Sequence, residues 1–324
     1  MKKKIAYILP VYNEDQNLTA LYQEIARNIQ PLEKKYLFSF IFINDGSSDH
    51  SLEILQKLYK QDKRITIINF SRNFGHQAAI SAGLDMTDSD CAIIIDTDLQ
   101  DPPSVSLQML TKWEKGFEVV FAKRKSRKDG FFKKCTSRIF YRFLNKLSNI
   151  PIPNDTGDFR LIDRKVINAF NMIGEKNRYI RGVFSYLGFN QTEVLYDRDK
   201  RYAGKTKYPL SKMLKLSVDG ITSFSTVPLK IITQLGLLVS FVSFVGIGYV
   251  FLMKILNPDQ LVSGWATLIL AVLFIGGIQI IMLGILGSYI GRIYIETQNR
   301  PLYIVTSIIG KENNKYNTNQ RTLR

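Results

Sequence analysis

The chain has 324 residues, 45% of them hydrophobic, and its 44 Lys and Arg against 28 Asp and Glu give a formal charge of +16 at pH 7. That length admits one sizeable globular domain plus a further segment, and the basic balance requires an acidic partner: nucleic acid, anionic headgroups or a phosphorylated substrate. The two cysteines, Cys91 and Cys135, have no paired spacing, which excludes a disulfide scaffold and a cysteine zinc site and fits a reducing compartment.

Met1 to Lys4 is basic and is followed by the apolar run Ile5 to Val11, which leads at once into Asn13, Glu14 and Asp15. The run is too short for a signal peptide and is expected to be a first strand buried on both faces of a parallel sheet. Asn17 is the expected N-cap of a helix in which Leu18, Leu21, Tyr22, Ile25 and Ile29 recur at helical spacing. Phe38 to Ile43 predicts a second strand, and Leu52, Ile54, Leu55 and Leu58 a second helix. Ile65 to Phe70 gives a third strand, Gln77 to Met86 a helix of small residues, and Cys91 to Ile95 a fourth strand. Such alternation predicts an α/β domain with a mostly parallel, Rossmann-like sheet and helices on both faces. Ligands of these sheets bind outside the carboxyl ends of the strands. The clusters Tyr12-Asn13-Glu14, Asn44-Asp45-Gly46, Ser71-Arg72-Asn73 and Asp96-Thr97-Asp98 each follow a predicted strand, so they should meet on one rim.

Between Lys123 and Lys146 ten Lys and Arg stand against one acidic residue, interleaved with Phe131, Phe132, Phe140, Tyr141 and Phe143. This mixture favours a helix lying in a membrane interface over a solvated basic face. The stretch 208–228 is expected to be a juxtamembrane amphipathic segment, with Lys212 and Lys215 set among Leu210, Leu214, Leu216, Ile221 and Phe224. Then Ile231 to Met253 runs 23 residues without a charge and Ala266 to Gly291 another 26, against about 20 needed to cross a bilayer. The short link with Asn257-Pro258-Asp259 makes the pair a hairpin, and Arg292, Arg300 and Lys311 mark its open end. The positive-inside rule then predicts a multi-pass protein of a bacterial-type inner membrane, with the domain and both termini cytoplasmic. Expected boundaries are 1–207 for the large cytoplasmic domain, 208–228 for the juxtamembrane segment, 229–292 for the hairpin and 293–324 for a cytoplasmic C-terminal tail, polar beyond Lys311. Gly284, Gly287 and Gly291 permit close helix contact, and a homo-oligomer is expected.

Asp96-Thr97-Asp98 is the local feature with the most chemistry. Two carboxylates flanking one residue at a strand end can hold a hard divalent cation with positions left open for phosphate oxygens, and such an ion would stabilise a diphosphate leaving group. Acidic pairs also serve as caps and solvated loops, so the motif alone leaves both roles open. His50 and His76 form no zinc spacing with any carboxylate and are taken as structural or peripheral.

The ordered set Pro10-Val11-Tyr12-Asn13-Glu14, Asn44-Asp45-Gly46-Ser47, Ser71-Arg72-Asn73-Phe74-Gly75, Asp96-Thr97-Asp98-Leu99-Gln100-Asp101-Pro102-Pro103 and Gly157-Asp158-Phe159-Arg160-Leu161, closed by the hairpin, resembles the family 2 glycosyltransferases of GT-A fold. Within them it is similar to the polyprenyl-phosphate hexose synthases of the dolichyl-phosphate mannose synthase and bactoprenol glucosyltransferase type. The resemblance implies that Pro10, Tyr12, Glu14, Asp45, Arg72 and Thr97 line the nucleotide-sugar site, and that Asp96, Asp98 and Gln100 surround Mg²⁺ or Mn²⁺ and the diphosphate. It implies that Asp158 stands beside the acceptor as base or positioner. A phosphate monoester is already mostly ionised at neutral pH, so a strong base is less needed there than for a sugar hydroxyl. Asp45 has a second sound role in capping its own turn. Arg124 and Arg127 are candidate phosphate ligands, as are Arg201, Lys205 and Lys207 in a stretch that resembles a mobile loop over the donor, with Gly204 for bending. Asp155 is left as a loop carboxylate, and Arg160 and Arg164 are expected in structural ion pairs.

The implied reaction is inverting, metal-dependent transfer of a hexose, glucose from UDP-glucose, to a polyprenyl phosphate such as undecaprenyl phosphate, with no nucleic-acid partner. GDP-mannose, UDP-N-acetylglucosamine or an aminopentose donor are alternatives. A processive polysaccharide synthase lacks support, since its Gln-x-x-Arg-Trp motif and further spans are missing from this sequence. A non-enzymatic membrane adaptor rests on the charge alone.

Overall fold

A computed structural model describes residues 2–125, 156–176, 178–197, 225–256 and 264–310. The first half follows the expected alternation: β1 (Lys3–Val11), α1 (Asp15–Ile29), β2 (Tyr36–Asn44), α2 (Ser51–Gln61), β3 (Ile65–Phe70), α3 (His76–Met86) and β4 (Cys91–Ile94). Then come α4 (Val105–Glu114), β5 (Val119–Arg124), β6 (Thr156–Asp163), α5 (Arg164–Asn171), α6 (Ile180–Tyr186) and β7 (Gln191–Tyr196). Two long helices, α7 (Val227–Leu256) and α8 (Trp265–Thr297), precede a last strand, β8 (Val305–Ile309).

The strands form one eight-stranded sheet in the order β7-β5-β6-β4-β1-β2-β3-β8. Its centre, β4-β1-β2-β3, is parallel, and β6 and β8 enter antiparallel. β1 is buried on both faces. Ile5, Tyr7 and Leu9 pack with Leu18, Leu21 and Ile25 of α1, Leu55 of α2 and Met109 of α4, while Ala6 and Ile8 meet α3, α5 and α6 on the other side. Alternation by single residues is what a two-faced strand requires. Gly83 of α3 lies so close to β1 that a Cβ there would stand 2.4 Å from Ile8 Cγ2.

Two expectations are corrected, and one motif with no expected element is placed. The N-cap of α1 is Glu14, and Asn17 is buried within the first turn, its Nδ2 donating to Glu14 Oε2 at 2.6 Å. The Gly157-Asp158-Phe159-Arg160-Leu161 stretch is a strand, inserted between β5 and β4. The segment after α8, expected only as a tail, returns to the sheet: β8 pairs with β3, Ile304 C=O accepts Ser71 N–H at 3.0 Å, and the Tyr303 ring stacks on Phe70.

α7 and α8 carry two stretches long and apolar enough to cross a membrane, Val227–Gly246 and Phe274–Thr297, with none of either buried inside the protein. Tyr289 Oη of α8 donates to Ser225 C=O at 2.7 Å, which sets the start of α7 beside the last third of α8. α8 ends five residues beyond the boundary expected at 292.

Candidate active site

The chain lays β2 and β3 on one side of β1 and then crosses to place β4 on the other, so the order reverses between the neighbours β1 and β4. In α/β sheets the loops leaving the carboxyl ends at such a reversal frame the ligand crevice. Hydrogen bonds join the expected loops at this rim. Asn13, at φ 53°, accepts Ser48 N–H on Oδ1 at 2.8 Å, and Ser47 Oγ accepts Asn13 N–H at 3.0 Å, joining the turns after β1 and β2. Asp45 accepts Phe74 N–H at 2.7 Å and Gly75 N–H at 3.0 Å, joining the turns after β2 and β3. Thr97 Oγ1 donates to Pro10 C=O at 3.0 Å, joining β4 to β1.

Gly46 explains the Asn-Asp-Gly motif. Its φ is +64°, and a Cβ would stand 2.4 Å from the Arg72 carbonyl carbon. Only glycine combines that conformation with that approach.

The expected donor-side residues differ in their surroundings. Pro10 is buried in β1, and Tyr12 is exposed. Glu14 combines its capping position with the Asn17 contact. Asp45 is buried, and burial pushes its carboxyl up although the two amide donors oppose the shift. Arg72 is exposed, bonded to its neighbour Asn73 C=O and lying 4.2 Å from the Phe74 ring. Thr97 is buried, with its hydroxyl on β1. Arg124 ends β5 close to Gly157, where a Cβ would stand 3.9 Å from Arg124 Nη2. Arg127, Asp155, Arg201, Lys205 and Lys207 lie outside the described residues.

Register builds the acidic centre. In the β4–β6 pair Ile94 faces Arg160, so two further steps set Asp158 opposite Asp96. One side chain joins them: His76 Nε2, at the start of α3, is 3.4 Å from Asp96 Oδ1 and 3.2 Å from Asp158 Oδ2. Arg181 of α6 holds Asp158 with a fork, Nε to Oδ1 at 2.8 Å and Nη2 to Oδ2 at 3.1 Å. Burial raises the Asp96 carboxyl above the usual range. Burial also works against charge on Asp158, but Arg181 and His76 outweigh it and hold that carboxyl well below the range. At His76 burial opposes the charge, and Asp96 and Asp158 overcome it and push the imidazole up to about 9.

His76, taken as peripheral from its sequence, thus sits at the centre of the cluster. The sequence did carry a signal, since His76 directly follows the Ser71–Gly75 turn at the rim. Arg181 had none; it is 23 positions from Asp158 and meets it through tertiary packing. Arg160 and Arg164, expected in ion pairs, donate to backbone carbonyls: Arg160 Nη2 to Gly157 at 3.0 Å, Arg164 Nη1 to Thr87 and Nε to Ser89.

Among the described residues, no three His, Cys, Asp or Glu side chains are grouped to hold a metal ion by themselves. A Mg²⁺-type ion does not need such a cage when substrate phosphates complete its shell. Asp96 Oδ1 is a buried oxygen without a hydrogen bond, and Asp98 Oδ1 accepts Gln100 N–H at 3.1 Å. These two carboxylates fit a hard cation shared with a diphosphate.

The sequence model of glycosyl transferase family 2 matches residues 7–170, across the sheet and the acidic centre. The chain belongs to that family and is a glycosyltransferase. The model of the GtrB C-terminal hairpin matches residues 227–293, across α7 and α8. The chain is 48% identical to the uncharacterized glycosyltransferase YkcC of Bacillus subtilis (strain 168), over 97% of this chain and 98% of that one. It is 41% identical to the prophage bactoprenol glucosyl transferase homolog of Escherichia coli (strain K12), over 94% and 99%. Among solved structures, mannosyl-3-phosphoglycerate synthase from Rubrobacter xylanophilus aligns with a TM-score of 0.46 at 15% identity, covering 72% of this chain and 75% of that one.

Proposed function

We propose that this glycosyltransferase transfers a hexose, glucose from UDP-glucose, to a polyprenyl phosphate at the cytoplasmic face of a bacterial inner membrane, inverting the anomeric centre. The observation that carries this reading is the union, in one sheet, of an acidic centre at the β1–β4 crevice and two exposed apolar helices anchored through β8. The relative from Escherichia coli bears the name of a bactoprenol glucosyl transferase homolog, which favours the same acceptor and sugar. Arg292 near the end of the second apolar stretch and Arg300 beyond it favour a cytoplasmic open end of the hairpin.

In the proposed reaction an anionic phosphate oxygen of the lipid forms a bond to C1 of the sugar as the bond from C1 to the diphosphate oxygen breaks. UDP leaves with the electron pair. The acceptor's second ionisation lies near 6, so the attacking oxygen needs no deprotonation at neutral pH. Asp96 and Asp98 would hold the divalent cation, which when bound supplies positive charge to the diphosphate. The test is full-length protein in detergent with undecaprenyl phosphate, Mg²⁺ or Mn²⁺, and a panel of UDP-glucose, GDP-mannose, UDP-N-acetylglucosamine and a UDP-aminopentose. Glucosyl lipid is the expected product. Transfer of another sugar would replace the donor, and no lipid product from any donor would refute the function.

A further inference from the structure

We propose that Arg181 binds the acceptor's phosphate and that Asp158 is a positioning residue that holds the Arg181 fork, rather than a proton acceptor. This inference rests on the lipid-phosphate reading above.

Charge placement makes the case. Asp158 faces Asp96 across the β4–β6 register, so an acceptor phosphate brought to the sugar enters beside two carboxylates. A near-dianion can reside there only with fixed positive charge in contact. Among the described residues, Arg181 and His76 are the side chains that form ion pairs with Asp158. Arg160 lies on the same face of β6, but it is buried, bonded to Gly157 C=O and set over the Phe184 ring. Arg181 is 31% exposed. A guanidinium has two edges, and its planar fork can hold a carboxylate on one and a phosphate on the other.

The geometry also tells against a base. Asp158 Oδ1 accepts Arg181 Nε, and Oδ2 accepts Arg181 Nη2 with His76 Nε2 at 3.2 Å. Taking a proton would break that fork, for an acceptor that arrives already ionised. The backbone of Arg181 is fixed in turn, because Ile180, Val183 and Phe184 of α6 are buried in the core. The approach to α6 is tied to the apolar helices: Lys176 N–H donates to Glu296 Oε1 of α8 at 2.8 Å. The segment that leads into the Arg181 helix is thus in contact with the end of α8.

The experiment uses full-length protein in lipid nanodiscs, with undecaprenyl phosphate varied in transfer assays and farnesyl phosphate as a binding probe by calorimetry. Arg181→Ala should raise the acceptor KM and the farnesyl phosphate Kd at least about tenfold, as for loss of a charged hydrogen bond, with UDP binding unchanged. Arg181→Lys should recover part of the loss, and it carries the test if the alanine variant does not fold. Asp158→Asn should also raise the acceptor KM, while the acidic limb of kcat/KM against pH, which belongs to the acceptor phosphate, stays in place. An unchanged acceptor KM in Arg181→Ala overturns the assignment. So does loss of the acidic limb in Asp158→Asn at unchanged acceptor KM. A parent protein that neither transfers to undecaprenyl phosphate nor binds farnesyl phosphate refutes the underlying function instead.

Discussion

Asp45→Asn measures what holds the turns after β2 and β3 together. The carboxylate is 3% exposed and accepts two backbone N–H groups, from Phe74 at 2.7 Å and Gly75 at 3.0 Å. Asparagine keeps one acceptor oxygen and turns an NH₂ toward the other amide, so one charge-assisted bond becomes a donor facing a donor. Such a loss costs about 1.5–3 kcal/mol. One effect opposes it: burial pushes the Asp45 carboxyl up, and neutral asparagine escapes that desolvation, which brings the net cost to roughly 1–2 kcal/mol. For a domain near 200 residues this lowers Tm by about 3–6 °C. The assay is thermal unfolding of the full chain followed by Trp fluorescence. One of its two Trp, Trp113, reports on the sheet through its Nε1 bond to Asp163 Oδ2 at 2.7 Å. Repeating the melt with UDP separates stability from binding, because a ligand adds stabilisation set by its concentration over Kd. A Tm within about one degree of the parent, well inside the expected shift, would refute the claim that these bonds hold the turns.

Asp96→Asn and Asp98→Asn should each lower kcat by about 10²–10³-fold, the usual loss when charge stabilisation of a leaving group is removed; transfer at parental rates with either variant would remove the cation from these residues. Gly46→Ala should cost about 1–3 kcal/mol and weaken UDP binding, since its Cβ would press on the Arg72–Asn73 backbone; a melt and a UDP titration matching the parent would contradict the close approach. Burial works against the charge of Asp62, but Arg64 and Tyr22 outweigh it and hold its carboxyl below the usual range. Its contribution is present above the unfolded value of about 3.9 and is lost as pH falls through the lower folded value. The Tm gap between parent and Asp62→Asn should therefore be full at pH 6 and narrow toward pH 3; a constant gap would deny the ionic contribution.

The parallel half of the sheet was legible because each buried strand is a continuous apolar run closed by a polar turn, and Ile65–Phe70 is bounded as expected. The meeting of the turns followed from that topology alone. β6 was harder to read, since Asp158, Arg160 and Asp163 interrupt its apolar residues. Its partners are set by non-local pairing, with a shift of register between Phe121 and Lys123 against β5. The same distance effect hid Arg181, whose meaning depends on α6 packing beneath β6. β8 is a short edge strand whose pairing partner lies over 200 positions earlier, and nothing in Val305–Ile309 names it.

β8 also bears on how the enzyme meets its acceptor. Seven steps of chain separate Thr297, the last residue of α8, from Ile304, whose carbonyl holds Ser71 at the start of the Arg72 turn. Fully extended, that connection spans at most about 25 Å. The start of α7 is held beside α8 by Tyr289 and Ser225, so both open ends of the hairpin lie near the domain rather than at opposite ends of an apolar span of about 30 Å. On the proposed function this solves a problem of reach. A lipid phosphate stays at headgroup depth, and the site that accepts it must be held there without closing the crevice to a soluble nucleotide-sugar. An edge strand and one helix end can do this, because they hold the domain by the β3 edge of the sheet and not by the β1–β4 pair. Deleting residues 303–310 from the full chain should therefore raise the acceptor KM while the parental UDP affinity is kept. An equal loss of both would mean that β8 only stabilises the sheet.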